Sequence, residues 1–345
     1  MREMSRTTVK DIANALGISV GTVSKALTGK KGISEETRET VLKTAKSLGY
    51  KVNRVAQSLA RNPIYIGILA PSVWPEYYGS LQEGIKRELD ILNDNNVISI
   101  YKYVSSLYSG EEIKNAIDAF INEGVDAIII CPAFDSSYID CLDRLDQLNI
   151  PVVLLGTDFP KGKRLTCVRS DANTAGKLAG EFIKYLMPKG SMAVVLIGNK
   201  DMQDHKEKAN SFIQELEKDN YKVGYVYETQ DEPEVAYYLT CKVLREIHDI
   251  GGIYVATGNS VAVCKCIAEH NMAGKVKVIA TDIFPDIAVY VEQGIIHGLI
   301  YQDPVTQGRI AVKVIYEHLT QRKVCEQNIF VQPQLVLRSN FRSFL

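Results

Sequence analysis

Polar side chains directly follow several apolar runs of this 345-residue chain, where they could hydrogen-bond a small molecule. Asp135 follows the run that ends CPAF, Asp282 ends VIATD, and Gln302 ends LIYQ. Ligands of open α/β sheets bind at the carboxyl ends of the strands, so we expect these side chains to face a bound molecule. Each of them could instead cap its own strand. Together they favour a site for a small polar ligand.

Sulfur and imidazole groups near residue 266 raise the question of a metal site. On a helix, Cys264 and Cys266 would point about 200° apart, so only Cys266 and His270 could share a face. Two ligands are fewer than the four of a structural zinc site, and we expect buried thiols and no metal. The sequence contains no nucleophile elbow, phosphate-binding loop or dinucleotide fingerprint. We therefore expect neither a cofactor nor enzyme activity.

The apolar runs after Pro63 fall into two sets of four, within residues 64–157 and 192–282. Such runs are typical of buried parallel strands, and the helical segments between them predict βαβ crossovers. We expect an α/β body of two doubly wound parallel-sheet lobes, of the periplasmic-binding-protein type. The predicted N-terminal lobe is 63–162 plus 292–325, and the C-terminal lobe is 163–291 plus 326–345. The late strand in 294–303 and the helix Gln307–Leu319 are thus assigned to the first lobe.

Charge is distributed unevenly along the chain. Overall, 40 basic residues face 41 acidic ones, but residues 1–62 hold 12 basic and 5 acidic residues. The first 62 residues therefore carry a net charge of +7, and the remainder carries −8. A small basic module joined to an acidic body is expected when the module binds a polyanion.

Other compositional features indicate the cellular compartment. The seven cysteines form an odd set, which suits reduced thiols better than a disulfide framework. No run approaches the roughly 18–20 apolar residues of a membrane span, and the first residues lack the apolar stretch of a secretory signal. We expect a cytoplasmic protein with no membrane partner.

Three short helices are predicted within residues 1–50, which we expect to form a small all-α head. Thr8, Ser19 and Ser34 are the expected N-caps, and Gly17 and Gly49 end the first and third helices. Two short helices joined by a tight turn and followed by a packing helix make a helix-turn-helix. In that motif, the second helix enters the major groove and its first residues reach the base edges.

Residues 7–61 closely resemble the DNA-binding head of the lactose-repressor (LacI/GalR) family. The segments VKDIA, GIS-x-x-TVS, ISEETRE-x-V, LGY and NRVAQSLA occur in the family's order. The resemblance implies a DNA-binding head in residues 1–50, and a hinge helix with its linker in residues 51–62. It also implies a sequence-specific transcriptional regulator, foremost a repressor, that binds double-stranded operator DNA as a homodimer.

The resemblance assigns roles within the head. The family's phosphate-contacting positions match Thr8, Ser19, Thr22 and Ser24, and its base-reading positions match Val20, Gly21 and Lys25. Its hinge contacts match Asn53, Arg54, Ala56 and Leu59. Lys25 lacks the planar fork of the Arg more often found at its place, and Gly21 has no side chain with which to read a base. Leu59 matches an apolar wedge that kinks the duplex. Val20 could instead be an exposed surface valine, and Leu59 could contact the body.

The resemblance also marks an effector site between the lobes. Tyr77 and Tyr78 match a position at which relatives carry an aromatic residue that stacks on the ligand. Asp282 and Gln302 match positions that hold sugar hydroxyls in relatives. The full candidate set is Tyr77, Tyr78, Asp135, His205, Lys208, Asn259, Asp282 and Gln302. Lys208 replaces a usual Arg, and Gly156-Thr157 replaces a usual Asp-Arg pair, so the identity of the sugar does not carry over. A small sugar or polyol is the expected effector.

Two other functions stay open at this point. A periplasmic-type solute-binding receptor would share the body, but it should have a signal peptide and no basic head. An α/β enzyme would use the cleft between the lobes, and it would need a catalytic constellation that the sequence does not supply.

Overall fold

The computed structural model describes residues 7–28, 32–50, 63–73, 75–105, 109–132 and 137–345. The chain divides into two units, residues 1–62 and 63–345. The predicted hinge contacts and one predicted effector residue lie outside the described residues: Asn53, Arg54, Ala56, Leu59 and Asp135.

The described residues of the first unit form three helices: α1 (Val9–Leu16), α2 (Val20–Thr28) and α3 (Glu35–Ser47). Thr8 caps α1 in a reciprocal capping box with Asp11, whose carboxylate accepts the Thr8 N–H at 2.7 Å. Gly17 ends α1 in the left-handed conformation, with φ 64°. Ser34 caps α3 by accepting the Thr37 N–H at 3.2 Å. The predicted helices and their N-caps are confirmed.

Each helix of the first unit contributes two side chains to a small apolar core. These are Ile12 and Ala13 from α1, Val23 and Ala26 from α2, and Val41 and Ala45 from α3, all nearly or fully buried. The helical spacing of these residues in the sequence accounts for the core. Because their apolar faces point inward, the polar start of α2 is left at the surface.

The first sheet of the second unit is entirely parallel and has the strand order β11-β5-β4-β3-β1-β2. Its strands are β1 (Ile64–Pro71), β2 (Val97–Val104), β3 (Ala127–Ile130), β4 (Val152–Leu155), β5 (Thr166–Ser170) and β11 (Asn328–Val331). The helices of this lobe are α4 (Pro75–Ile91), α5 (Gly110–Glu123), α6 (Ser137–Gln147) and α12 (Pro304–Gln321). Strands β3 and β4 are buried along their whole length, which explains their uninterrupted apolar sequences.

The second sheet has the order β12-β10-β9-β8-β6-β7 and is parallel except for the antiparallel pair of β10 and β12. Its strands are β6 (Met192–Ile197), β7 (Lys222–Glu228), β8 (Ile250–Val255), β9 (Lys277–Thr281), β10 (Ile296–Tyr301) and β12 (Gln334–Val336). Its helices are α7 (Ala172–Leu186), α8 (Gln203–Glu217), α9 (Pro233–Glu246), α10 (Ser260–Glu269) and α11 (Ala288–Glu292). The predicted pair of parallel-sheet lobes is confirmed. None of the described helices is long and apolar enough to cross a membrane.

All three predicted lobe boundaries are wrong. The strand in 294–303, assigned to the first lobe, is β10 and pairs with β9 in the second sheet. The segment after residue 163, assigned to the second lobe, contains β5, which pairs with β4 in the first sheet. The C-terminal segment from residue 326 is divided, because β11 joins the first sheet and β12 the second. A buried parallel strand has the same apolar pattern in either sheet, so the pattern alone does not assign its lobe.

The chain therefore passes between the lobes three times, after β5, after β10 and after β11. Helix α12 packs against α4, as expected for a first-lobe helix. That contact is close because a Cβ at Gly84 would lie 2.1 Å from the Val305 carbonyl oxygen. In the second lobe, a Cβ at Gly176 of α7 would lie 2.2 Å from the Lys208 carbonyl oxygen of α8. Glycine at position 176 thus allows the close approach of α7 to α8, the helix that carries Lys208.

Candidate effector site and DNA-binding surface

The start of α2 presents a polar surface on the first unit. Ser19 caps the helix by accepting the Thr22 N–H at 3.0 Å, and Val20 is 48% exposed. Gly21 is also exposed, and a Cβ there would meet only the Ser19 Oγ, at 3.6 Å. The fold therefore leaves room for a side chain at Gly21, and the glycine keeps the surface flat.

Lys25 and Ser24 are also exposed on this helix, whereas Thr22 is half-buried. Thr8 is exposed at the start of α1, where its hydroxyl donates to the Asp11 carboxylate at 2.7 Å. The structure thus places the base-reading candidates on one helix, with Val20 and Gly21 at its start and Lys25 in its last turn. The start of this helix is the part of a helix-turn-helix that reaches base edges.

A cavity of about 80 Å³ lies between the two lobes of the second unit. The carboxyl ends of strands from both sheets open into it. Six of the predicted effector residues line it: Tyr77, Tyr78, His205, Lys208, Asp282 and Gln302. Its position is the one expected for a ligand site in a doubly wound α/β fold.

Asp282 and Gln302 form a buried pair at the ends of β9 and β10. The Gln302 Nε2 donates to both carboxylate oxygens of Asp282, at 2.9 and 3.0 Å. Asp282 has a positive φ of 67°, which turns the chain away at the strand end. Burial raises the pKa of Asp282 to about 6, although Lys208 and Gln302 both oppose the rise. This carboxylate is poorly solvated and in need of further donors, as a hydroxyl-rich ligand would supply.

Asp204 and Lys208 form a second buried pair, one turn apart on α8. The Lys208 Nζ lies 3.5 Å from the Asp204 Oδ2, and the Lys208 side chain is 3% exposed. Thr157 of the first lobe donates its hydroxyl to the same carboxylate, so Asp204 joins the two lobes. Burial acts to raise the pKa of Asp204, but His205, Lys208 and the Thr157 hydroxyl outweigh it, and the pKa is lowered. Asp204 is therefore ionised at the pH values at which Asp282 titrates.

Aromatic rings form the first-lobe wall of the cavity. Tyr77 and Tyr78 meet edge to face, with their centroids 5.4 Å apart. A Cβ at Gly156 would lie 3.2 Å from the Tyr77 hydroxyl oxygen, and Gly156 has a φ of 92°. Gly156, which replaces the usual Asp at this position, therefore leaves room for the Tyr77 hydroxyl. Burial raises the pKa of Tyr77 well above its usual range, so its hydroxyl stays protonated as a donor.

His205 lines the cavity next to Asp204 and is nearly buried. Its Nδ1 accepts the Asn199 backbone N–H at 3.1 Å. A neutral imidazole in that arrangement carries its proton on Nε2. His205 can therefore donate a hydrogen bond from Nε2.

Asn259 does not line this cavity, contrary to the prediction. Its amide nitrogen donates to the Thr229 hydroxyl at 3.0 Å, which holds the side chain in the protein interior. Its Oδ1 has no hydrogen-bond partner among the described residues. Asn259 borders a neighbouring cavity instead, together with Tyr237 and Lys265.

Several polar residues of the cavity were not predicted. The Thr257 hydroxyl donates to the Asp231 carboxylate, and both residues line the cavity. They follow the strands β7 and β8, so the strand-end rule that selected Asp282 could have found them too. Thr157 and Asp204 were also missed, and Asp204 directly precedes the predicted His205.

The charge of the cavity limits what it can bind. Four carboxylates, those of Glu76, Asp204, Asp231 and Asp282, line the cavity together with one lysine, Lys208. A phosphate or carboxylate ligand would add repulsion to this excess of negative charge. A neutral ligand with several hydroxyl donors would satisfy the carboxylates and could stack on Tyr77.

Comparisons with known proteins are consistent with both units. The family model described as "Bacterial regulatory proteins, lacI family" matches residues 8–53, and the model "Periplasmic binding protein domain" matches residues 66–323. The chain is 30% identical over 196 residues to the catabolite control protein A of Staphylococcus epidermidis, which covers 55% of each protein. It thus spans about half the length of that relative. The HTH-type transcriptional repressor PurR of Pasteurella multocida is 24% identical over 358 residues, covering 98% of this chain and 99% of the relative.

Solved structures share the fold of the second unit. A solute-binding protein of Burkholderia graminis in complex with D-arabinose has a TM-score of 0.74 and 22% identity, covering 82% of this chain and 98% of that one. A solute-binding protein of Bacillus halodurans with bound myo-inositol has a TM-score of 0.73 and 18% identity, covering 82% and 97%.

Proposed function

Because the chain belongs to the lacI family of bacterial regulatory proteins, with a periplasmic binding protein domain as its body, we propose that it is an effector-controlled transcriptional regulator, foremost a repressor. Its head binds double-stranded operator DNA, and a neutral sugar or polyol in the cavity between the lobes sets the operator affinity. The observation that carries the effector proposal is the cavity itself, in which a donor-poor Asp282 and an aromatic wall face each other. The bound D-arabinose and myo-inositol of the two solute-binding proteins support the same ligand class.

On the DNA side, the proposal rests on the exposed start of α2 and the basic charge of residues 1–62. Ser19, Thr22, Ser24 and Thr8 bind phosphates, while Val20, Gly21 and Lys25 face base edges. Two copies in a homodimer bind the two halves of a near-palindromic operator in the cytoplasm. The hinge residues Asn53, Arg54, Ala56 and Leu59 complete the contact as the family resemblance implies.

The effector proposal is tested by calorimetry and thermal shift of the full chain with a panel of ligands. We expect neutral pentoses, hexoses or inositols to raise the melting temperature, and the matching sugar phosphates to have a much smaller effect. Asp282→Asn should abolish the shift, while the exposed Asp90→Asn on α4 should leave it unchanged. Equal responses to a sugar and its phosphate would contradict the charge argument.

The DNA proposal is tested by selecting operator sequences from a random duplex library and measuring affinity against salt. The affinity for DNA should fall steeply as the salt concentration rises. Lys25→Gln should weaken binding. It should also lower the salt slope by about 1 if the lysine contacts a phosphate, or relax the preference for one base if the lysine reads a guanine. Lys313→Gln on α12 is the matched control for loss of one exposed lysine. A salt-independent affinity would refute the argument from the basic head.

These experiments also separate the two rival functions. A solute-binding receptor would bind the sugar without any effect of the sugar on DNA binding. An enzyme would turn the bound sugar over, which nuclear magnetic resonance of the recovered ligand would detect.

A further inference from the structure

Two thiols on neighbouring helices of the second lobe are in direct contact. Cys241 on α9 and Cys266 on α10 have their Sγ atoms 2.6 Å apart. Cys266 is fully buried, whereas Cys241 is only partly buried and so reachable from solvent. The sequence indicated only Cys266 and His270 as neighbours, because Cys241 lies 25 residues away on another helix.

We propose that Cys241 and Cys266 form a reversible disulfide bond when the protein meets hydrogen peroxide. The site lies outside the effector cavity and the DNA-binding surface, so it adds a redox response to the proposed regulator. The remaining five cysteines make no thiol–thiol contact in the part of the chain that the structure describes.

The reaction is balanced by one peroxide and two thiols. Cys241, the accessible sulfur, attacks a peroxide oxygen, the O–O bond breaks, and the departing hydroxide takes the thiol proton to leave as water. Cys241 is then a sulfenic acid. The Cys266 sulfur attacks it, the S–O bond breaks, and the second hydroxide leaves as water with the Cys266 proton. The two sulfurs are oxidised by two electrons in total, and the peroxide is reduced to two waters.

The surroundings of the two thiols favour this order of events. Burial raises the pKa of the Cys266 thiol far above its usual range, which makes Cys266 a poor first nucleophile. Its fixed position against Cys241 lets it act as the second one. Helices α9 and α10 already pack together, so the bond needs no large movement of the backbone.

A metal site is the competing use of these residues, because Cys241, Cys266 and His270 lie close enough to hold an ion. The His270 Nδ1, however, lies 2.9 Å from the Cys266 carbonyl oxygen, to which it can only donate. That hydrogen bond keeps a proton on the nitrogen nearest the sulfurs, which lies 3.6 Å from the Cys266 Sγ. With Nδ1 protonated, only the Nε2 of His270 could join the two thiolates, and three ligands are fewer than the four of a structural zinc site.

The bond would tie together two helices that border the ligand-binding region. Helix α10 begins at Ser260, just after Thr257 and Gly258 of the effector cavity. Tyr237 lies one turn before Cys241, and Lys265 directly precedes Cys266; both line the neighbouring cavity. The disulfide would therefore cross-link two helices that line the neighbouring cavity.

The test uses the full-length chain, exposed to hydrogen peroxide and then blocked with an alkylating reagent. We expect the seven free thiols to fall to five, and a reductant to restore all seven. Trypsin cuts after Lys242 and after Lys265, which separates Cys266 from Cys264. Mass spectrometry should therefore find one cross-linked pair, in which a peptide ending at Lys242 is joined to the peptide 266–275.

Cys241→Ser and Cys266→Ser should each remove the cross-link, and Cys325→Ser, at another partly buried thiol, should keep it. A melting temperature measured in reductant shows that each variant is folded. Failure of the wild type to form the cross-link at peroxide concentrations that oxidise small thiols overturns the proposal. A zinc-dependent rise in melting temperature that Cys241→Ser abolishes would overturn it as well, in favour of a metal site.

Discussion

We expect the buried carboxylate of Asp282 to lower the stability of the unliganded protein. Its carboxyl pKa rises from 3.8 to about 6 on folding, chiefly because of burial. A rise of this size costs about 3 kcal/mol of unfolding free energy at pH values above 6. Asparagine has nearly the same shape, can still accept from Gln302, and cannot ionise. We therefore expect Asp282→Asn to stabilise the unliganded protein at pH 8 by up to about 3 kcal/mol.

The pH dependence gives the sign of this effect. The raised pKa means that the folded protein holds a proton on Asp282 more tightly than the unfolded chain does. Below about pH 4, the carboxyl is protonated in both states and its ionisation costs nothing. Between pH 4 and pH 6, the cost grows as the unfolded chain loses the proton first, and above pH 6 it is constant. The stabilisation by Asp282→Asn should thus be about half as large at pH 5 as at pH 8, where it reaches about 3 kcal/mol.

Urea denaturation of the full chain, followed by circular dichroism at the two pH values, measures the difference through the transition of the second unit. Asp204→Asn is the matched control, because it makes the same change in the same cavity on a carboxyl whose pKa is lowered. It leaves the Lys208 ammonium buried without its partner, which should destabilise the protein by about 3–5 kcal/mol. A variant Asp282→Asn that is no more stable than the wild type at pH 8, or equally stabilised at both pH values, would refute the reasoning.

Three other predictions concern the site and the head. Gly176→Ala should destabilise the second unit by about 1–3 kcal/mol and weaken effector binding, because the methyl group pushes α7 away from the Lys208 carbonyl; urea denaturation and ligand titration report the two effects. Effector affinity should fall as the pH drops through about 6, since protonated Asp282 loses acceptor capacity, and calorimetry at pH 5 and 8 measures the loss. Thr8→Ala should destabilise the head by about 1 kcal/mol through loss of its cap on α1, with Thr40→Ala, inside α3, as a comparison variant in thermal denaturation.

Sequence patterns were sufficient where one segment determines its own structure. The N-cap residues Thr8 and Ser34, the helical spacing of Ile12 and Ala13, and the apolar strands all follow from local preferences. Asp282 and Gln302 could be selected because strands in an open α/β sheet end at a common edge. The structure brings these two side chains into contact as that rule implies.

The features that the sequence did not reveal depend on pairing between distant segments. The sheet to which β10 belongs depends on its register with β9, which the apolar pattern of β10 does not encode. The bond between Thr157 and Asp204 joins residues on different lobes, and the contact of Cys241 with Cys266 joins different helices. Asn259 stands at the expected strand end, but Thr229 holds its amide away from the effector cavity.

The three passages of the chain between the lobes set an order for folding during synthesis. The core of the head closes within residues 12–45, so it can form while the ribosome is still translating the body. The first sheet, in contrast, gains its edge strand β11 only when residues 328–331 emerge. A nascent chain can therefore fold its head long before the first sheet of its body is complete. The body, which holds the proposed effector site, is thus completed only after the head has been able to fold.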